Sequence, residues 1–359
     1  MRMARARQRG IAILVLLGLF MAAATTTLVA LVSINDRDTA RQLRDAGRLE
    51  RAQQALVGFA LAHAVPGTLP CPDVDGDGVE DPAGSDCGSQ LGLLPWRTLN
   101  LDRSLDTSGA FIFYAVETNL VDTAVLRNPS TVTSLTLDGR AMAAVILAPG
   151  APFDGQSRTS LAPGGFLEGI NADANLADYQ SFTDASGNDQ ALGLSTSTLW
   201  TLVQRRATGE SERLLAAYRS ACGEYPFAAA FGGPYDSIAS QQSGAIAFDS
   251  ALPFDWGAAC PFGTAPVPPA WLSLNWRGEL LYRMCLVAEG NCLTVTGPAT
   301  SPASAVVVAP GVSLAGQARP SADVAQYFEL DNASAPDTLF TSMMPADFSS
   351  TFNDDCHAF

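Results

Sequence analysis

The residues best suited to chemistry form an acidic loop, DVDGDGVED, from Asp73 to Asp81. Oxygen ligands at alternate positions, with glycine at the sixth position for a sharp turn, are typical of calcium loops. The spacing predicts ligands from Asp73, Asp75, Asp77, Val79 (through its carbonyl) and Asp81. The twelfth position, usually a bidentate glutamate, is Gly84, which leaves Glu80 or Asp86 to take that role. A solvated acidic turn is the alternative, but calcium is favoured because clustered carboxylates repel one another.

The chain has seven cysteines, no CxxC pair and only two histidines, so disulfides and an oxidising compartment are predicted rather than a metal site at the cysteines. Cys71 and Cys87 bracket the acidic loop, and a disulfide there would close a loop of about 15 residues, worth roughly 3 kcal/mol in the chain-entropy model. The remaining hypothesis pairs Cys222 with Cys260 and Cys285 with Cys292, leaving Cys356 over. Spacing alone does not fix this connectivity.

An internal duplication organises the rest of the chain. Residues 144–172 and 305–333 align without a gap and share twelve of 29 positions, and Asn188-Asp189 matches Asn353-Asp354 if about four residues are inserted. The repeated Gly-Gln-x-Arg and a following glutamate could form a ligand site, but a structural role is favoured, because glycine supplies unusual backbone angles and the polar side chains can bind turn carbonyls. The residues concerned are Gly155, Gln156, Arg158, Glu168, Gly316, Gln317, Arg319 and Glu329. Buried ion pairs are expected between Arg158 and Glu168 and between Arg319 and Glu329.

The N-terminal region carries a basic leader and an uncharged run, Ile11 to Val32. Its length, about 33 Å as a helix, matches a bilayer core, and the four preceding arginines predict a cytoplasmic N-terminus. A cleaved signal peptide is the alternative, but its apolar core would be shorter. An amphipathic helix is predicted to continue from Ile34 to His63, with these residues inward: Leu43, Ala46, Leu49, Ala52, Leu56 and Ala60.

A short basic leader that ends in Gly10, directly followed by an apolar helix with an amphipathic extension, resembles the type IV prepilins and type II secretion pseudopilins. The resemblance covers about 55 residues and implies a prepilin peptidase and other pilin subunits as partners, cleavage after Gly10 and a methylated N-terminus at Ile11. Val15 stands where major pilins carry glutamate, and the span has no proline. These departures resemble minor, tip-type subunits, and an ordinary signal-anchor protein is the alternative.

The predicted fold class is α+β: a long N-terminal membrane-spanning helix followed by two tandem, duplicated pilin-like domains rich in β-strand. The predicted segments are a leader (1–10), a membrane-spanning and amphipathic helix (11–64), a first domain with the acidic loop (65–195) and a second domain (196–359). The second domain is expected to open with a helix from Thr196 to Cys222, interrupted near Gly209. A single-pass inner-membrane protein with a periplasmic or filament-surface body is the expected localisation.

The composition argues against nucleic-acid binding, because a net charge of -15 repels phosphate. No nucleophile motif is present, and His63 and His357 lie in no zinc pattern, so a non-enzymatic assembly role is predicted. An anchored binding module, such as a glycan adhesin, is the alternative. The aromatics that would serve a sugar-binding face are Trp200, Trp256, Trp271 and Trp276, although core packing is favoured for them.

Overall fold

The structure, a computed structural model, describes residues 39–153, 155–173, 177–182, 186–247, 266–297, 300–334 and 338–359. Three α-helices occur in these ranges: α1 (39–62), α2 (Thr196–Cys222) and α3 (Ala270–Asn275). Short 3-10 turns form at Thr118–Leu120, Pro163–Gly165, Gly169–Ala172, Val287–Glu289, Val324–Gln326, Leu330–Ala333 and Pro345–Asp347. The rest of the regular structure is β-sheet, so the described chain is mixed α/β and mostly sheet.

The strands of the first half are β1 (Pro82–Ala83), β2 (Asp86–Cys87), β3 (Leu91–Leu93), β4 (Phe113–Val116), β5 (Thr136–Leu137), β6 (Arg140–Ala148), β7 (Asp178–Tyr179) and β8 (Gln190–Ser195). Their main sheet runs β3-β4-β6, with β8 on the other side of β6. The N-terminal end of β6 pairs with β5, and β5 pairs in parallel with β7. β1 and β2 form a separate hairpin beside the acidic loop.

The strands of the second half are β9 (Ser243–Ala245), β10 (Leu281–Met284), β11 (Leu293–Thr296), β12 (Ser301–Ala303), β13 (Ala305–Ala309), β14 (Leu339–Thr341) and β15 (Asp355–Ala358). They repeat the topology: β9-β10-β13-β15 corresponds to β3-β4-β6-β8, and β12-β11-β14 corresponds to the β6-β5-β7 part. The register also repeats, since Tyr114 faces Ile146 and Tyr282 faces Val307. The duplication seen in the sequence is therefore a duplication of strand order and pairing.

The two halves share one hydrophobic core. Leu56 of α1, Trp200 of α2, Tyr114 of β4 and Tyr282 of β10 belong to the same buried cluster. α2 contacts β6 and β8 of the first half as well as β13 and β15 of the second. Each sheet has a second, smaller core on its outer face, one around Phe113 and Phe166 and one around Leu281 and Phe328. Both faces of each sheet are thus covered, which explains the unbroken apolar runs of β6 and β13.

α2 begins and ends as the sequence predicts. The Ser195 side chain caps its first turn by accepting from the Thr198 backbone, and Gly223 ends it in the left-handed conformation (φ 86°). The predicted interruption at Gly209 is wrong, because the helix passes through this residue without a break. α1 buries Leu49, Ala52, Leu56 and Ala60 at helical spacing as expected.

At its N-terminal end α1 departs from the prediction. Leu43 is 69 % exposed, and Asp45 is the buried residue of that turn. The burial of Asp45 has a polar cause, since its carboxylate accepts a hydrogen bond from the backbone N–H of Thr107 at 2.8 Å. A buried carboxylate is tolerated when it is hydrogen-bonded in this way.

The predicted membrane-spanning fold class is corrected by the structure. Among the described residues, no helix is both long enough and apolar enough to cross a membrane. α1, the helix described nearest the N-terminus, is amphipathic and packs one face into a protein core. The transmembrane description and the single-pass inner-membrane localisation are therefore contradicted, and the run Ile11–Val32 on which they rested lies outside the described residues.

Candidate functional site

The acidic loop is attached to the edge of the first sheet. The backbone of Asp73 exchanges two hydrogen bonds with Leu93 of β3 (3.0 and 2.7 Å), and the disulfide Cys71–Cys87 closes the segment. The Asp73 carboxylate is 1 % exposed and accepts the N–H groups of Gly76 (2.7 Å) and Gly78 (2.8 Å). These contacts hold one carboxylate inside the turn, as a metal loop requires.

Three of the four predicted aspartate ligands come together. Carboxylate oxygens of Asp73, Asp75 and Asp81 lie within 4.8 Å of one another. Burial raises the pKa of Asp73; the two backbone hydrogen bonds oppose that rise, and the negative charges of Asp75 and Asp81 add to it. A hard cation would relieve this repulsion, and carboxylate oxygens are the ligands that calcium prefers. The donor set therefore fits calcium.

The other predicted ligands lie outside this carboxylate cluster or stay unassigned. Asp77 accepts the N–H of Val79 at 2.7 Å and does not belong to the carboxylate cluster. Glu80 accepts the N–H of Cys71 (3.0 Å) and Asp86 that of Cys87 (2.7 Å), and neither carboxylate belongs to the cluster. The carbonyl of Val79 stays a predicted ligand.

Gly78 shows why this turn needs glycine. Its φ is +90°, and a Cβ at this position would lie 2.4 Å from Cε2 of Trp96. Its carbonyl accepts the N–H of Arg97 at 2.8 Å. Gly84 also has a positive φ (+77°), but a Cβ at this position would have no atom within 4 Å. At Gly84 the backbone conformation alone favours glycine.

The cysteines form the disulfides Cys71–Cys87 and Cys285–Cys292. Cys222 is disulfide-bonded as well, while Cys260 lies outside the described residues. In the described part of the chain Cys356 is the free thiol, and burial raises its pKa. A thiol of raised pKa is a poor nucleophile at neutral pH.

The repeated Gly-Gln-x-Arg residues build a hydrogen-bond network at the end of β6. Gln156 donates to the Glu168 carboxylate (2.6 Å) and to the carbonyl of Phe166 (3.0 Å). Arg158 donates to the carbonyl of Gly150 (3.0 Å) and to the side-chain oxygen of Gln156 (3.2 Å), and its guanidinium lies 5.0 Å from the Phe166 ring centroid. The side chains thus bind turn carbonyls and one another.

The second half repeats this network at the end of β13. Gln317 donates to Glu329 (2.6 Å), and Arg319 donates to Gln317 and to the carbonyl of Gly311 (both 2.7 Å). The expected ion pairs Arg158–Glu168 and Arg319–Glu329 are wrong, because in each half the glutamine lies between the arginine and the glutamate. Gly155 and Gly316 have φ of +90° and +94°, so each turn uses the left-handed conformation that glycine permits.

Two aspartates complete the networks and were missed as site residues. Asp189 accepts the backbone N–H of Glu168 (3.0 Å) and the side chain of Asn171 (3.2 Å). Asp354 has the matching contacts with Glu329 (2.9 Å) and Asn332 (3.0 Å). The signal was available, since both asparagines are identities of the repeat and both aspartates follow a repeated asparagine.

These aspartates titrate abnormally. Burial raises the pKa of Asp189 to about 8; the N–H of Glu168 opposes the rise, and the negative charge of the Glu168 carboxylate adds to it. Burial and the Glu329 carboxylate likewise raise the pKa of Asp354 well above its ordinary value. Each half therefore keeps a proton within a buried pair of carboxyl groups at neutral pH.

A cleft of about 680 Å³ opens between the two halves. Segment 125–132 of the first half forms one wall, and segments 274–279 and 320–327 of the second half form the other. Glu279, which lines this cleft, is 4 % exposed and accepts the hydroxyl of Ser130 at 3.0 Å. Burial raises its pKa to about 7, against the opposing effects of Ser130 and Arg319.

Two further predicted features have plain outcomes. Trp200 and Trp276 are fully buried and pack edge to face with centroids 6.4 Å apart, so they belong to the core; Trp271 is partly buried beneath Arg206, and Trp256 lies outside the described residues. The processing residues Gly10 and Ile11 also lie outside the described residues.

Comparison with family models, with curated proteins and with solved structures finds no match to this chain.

Proposed function

We propose that the chain is a non-enzymatic structural subunit of a bacterial filament, of the type IV pilus or type II secretion pseudopilus kind, processed by a prepilin peptidase after Gly10. The observation that carries the proposal is α1. Its inner face is buried in the shared core, while Arg41, Arg44 and Arg51 lie on the exposed part. A basic outer face on an otherwise acidic chain suits contact with other, acidic subunits.

The test is N-terminal sequencing and intact mass of the native protein from cells with and without the prepilin peptidase. We expect a chain that starts at Ile11 only when the peptidase is present, and a Gly10→Val variant that stays uncut. An N-terminus that is the same in both strains would sink the assignment to this filament class.

We also propose that the acidic loop binds one calcium ion through Asp73, Asp75 and Asp81, and so stiffens the first half. Asp75 and Asp77 make a matched pair for the test, since both are exposed and only Asp75 belongs to the carboxylate cluster. Calcium titration by calorimetry should show a tenfold or greater loss of affinity in Asp75→Asn and a smaller loss in Asp77→Asn. Equal affinities in the two variants would contradict this ligand set.

A binding module is the second candidate function, and the cleft between the halves is the observation that favours it. Its volume is in the range of small-molecule sites, and polar groups converge on it from both halves. A subunit with such a cleft could present a ligand site on the surface of an assembly.

A further inference from the structure

Glu279 is not explained by the duplicated fold. Residues with a structural role in the duplicated fold are present at equivalent positions of both halves. The glutamine, arginine, glutamate and aspartate of the two networks are examples. Phe113 of β4 and Leu281 of β10 have equivalent pairing partners in the two halves. Phe111 of the first half is therefore equivalent to Glu279 of the second half. The first half thus has an aromatic side chain where the second half has a buried carboxyl.

The carboxyl of Glu279 is also poorly compensated. Its one hydrogen bond comes from Ser130, and it forms no salt bridge with any residue that the structure describes. Arg319 acts on it only at longer range, because that guanidinium donates to backbone carbonyls and to Gln317. A buried carboxyl with so little support costs stability unless something else pairs with it.

The cleft that Glu279 lines also carries large apolar side chains that are open to solvent. Leu126, Val132 and Leu274 line the cleft and are 56 %, 76 % and 53 % exposed. They belong to a small set of large apolar side chains that the described surface leaves exposed. Three of these exposed side chains line the same cleft, so it offers apolar surface to a ligand.

The backbone around the cleft is closely fitted. A Cβ on Gly278 would lie 2.8 Å from the Tyr235 hydroxyl, and a Cβ on Gly232 would lie 2.6 Å from Ala322. Arg277 lies over the Tyr235 ring at 5.2 Å, so its charge is held at the wall and does not reach Glu279 as a salt bridge. Glycine at both positions lets the walls approach and gives the cleft a defined shape.

We propose that this cleft binds a small organic cation, with a primary ammonium group at the Glu279 carboxylate and an apolar body against Leu126, Val132 and Leu274. An ammonium group donates three hydrogen bonds, and its positive charge would pair with the buried carboxylate, which has no salt-bridge partner among the described residues. The acidic surface of the molecule attracts cations toward the cleft. This inference is independent of the filament role, since the cleft would be present in a free or an assembled subunit.

Binding should strengthen as pH rises from 6 to 8, because the ligand pairs with the ionised form of Glu279, whose pKa lies near 7. Two tyrosines that line the cleft stay neutral in this window, because burial raises the pKa of Tyr235 and of Tyr327 above the ordinary tyrosine value. Burial lowers the pKa of Arg319, and the Glu279 carboxylate opposes that change.

The experiment is a calorimetric or NMR titration of the full chain with hexylammonium chloride and, in parallel, with 1-hexanol. We expect saturable hexylammonium binding that is at least tenfold tighter than hexanol binding and that weakens at least tenfold in Glu279→Gln. Glu289→Gln is the control, since Glu289 is an exposed glutamate outside the cleft that accepts from Leu286 and Gln242. It should bind like the unmodified chain.

Thermal unfolding checks that the Glu279→Gln variant is folded. Folding is expected, because the glutamine oxygen can still accept the hydrogen bond from the Ser130 hydroxyl. Should Glu279→Gln fail to fold, Leu274→Ser at the exposed rim gives the second test and should also weaken binding, because it removes apolar contact without adding a charge. Equal binding of hexanol, or unchanged hexylammonium binding in both cleft variants, would overturn the assignment of a small organic cation.

Discussion

Asp189 and Asp354 each hold a proton inside the molecule next to a glutamate. The folded protein binds these protons more tightly than the unfolded chain does, because the pKa of Asp189 is about 8 in the fold, against roughly 3.9 in an unfolded chain. The contribution is present in full below the unfolded value and is lost as pH rises toward the folded value. Stability should therefore fall between about pH 4 and pH 8.

Replacing either aspartate by asparagine should flatten this dependence. The asparagine oxygen can still accept from the glutamate N–H, and its NH₂ can donate to the glutamate carboxylate as the bound proton does. We expect Asp189→Asn and Asp354→Asn to unfold at higher urea than the parent chain at pH 8, with the pH slope reduced by up to about 1.4 kcal/mol per unit. Urea unfolding from pH 5 to 9 measures this, with exposed Asp102→Asn as control. An unchanged slope in both variants would contradict the shared-proton interpretation.

The two buried tyrosines give a second prediction at this scale. Tyr114 donates to the carbonyl of Pro70 (3.1 Å) and Tyr282 to that of Pro226 (3.0 Å), so each half fixes the segment after its long helix in the same way. Tyr114→Phe and Tyr282→Phe should each lower the free energy of unfolding by about 1–2 kcal/mol, because a buried carbonyl loses its partner. Denaturant unfolding should show losses of similar size in the two variants; a loss in one half alone would show that the contacts are not equivalent.

Among the elements, the acidic loop depends on two glycines in different ways. Gly78 needs both its positive φ and the space that Trp96 fills, whereas Gly84 needs only its φ. Gly78→Ala should therefore cost several kcal/mol, since backbone and ring must both shift, and Gly84→Ala about 1 kcal/mol. Thermal unfolding with and without calcium compares the pair. Equal losses would mean that Trp96 moves aside freely.

The elements also show how far sequence reasoning reaches. The ends of α2 were predictable because Ser195 and Gly223 are strong local signals for a helix start and a helix end. The acidic loop was predictable because the residues that form its turn are adjacent in the sequence. Asp77 left the predicted ligand set because its carboxylate lies outside the cluster of Asp73, Asp75 and Asp81, which spacing along the chain does not show. The prediction of arginine–glutamate ion pairs was wrong because opposite charge alone suggested them. In the folded turn, the glutamine side chain lies between the two and forms a hydrogen bond with each.

For the molecule as a whole, the domain arrangement was the hardest feature to predict. Periodicity shows which residues of a helix are buried but not which sheet covers them. α2 opens the second half of the sequence and yet packs on strands of both halves. The boundary at 195/196 falls where β8 ends and α2 begins, and the shared core lies across that boundary.

A separate half should therefore lack a complete core. We expect a fragment of residues 39–195 to be associated or only partly folded, because its surface toward α2, Trp200 and Trp276 would be uncovered. In the full chain, Trp200→Ala should lower the free energy of unfolding by about 3–5 kcal/mol and affect both halves in one transition. Circular dichroism and sedimentation of the fragment, with denaturant unfolding of the variant, test this. A monomeric fragment that unfolds cooperatively would contradict the shared core.

The shared core bears on how such a chain arose. A gene that encoded one copy of the repeat would have produced a protein with a helix and a sheet covered on one side only. Two such chains could have hidden that surface by pairing with each other through the same face, as symmetric homodimers do. Fusion of the two genes would then have turned a contact between partners into the interior of a single polypeptide, and would have let the two copies diverge at equivalent positions such as Phe111 and Glu279.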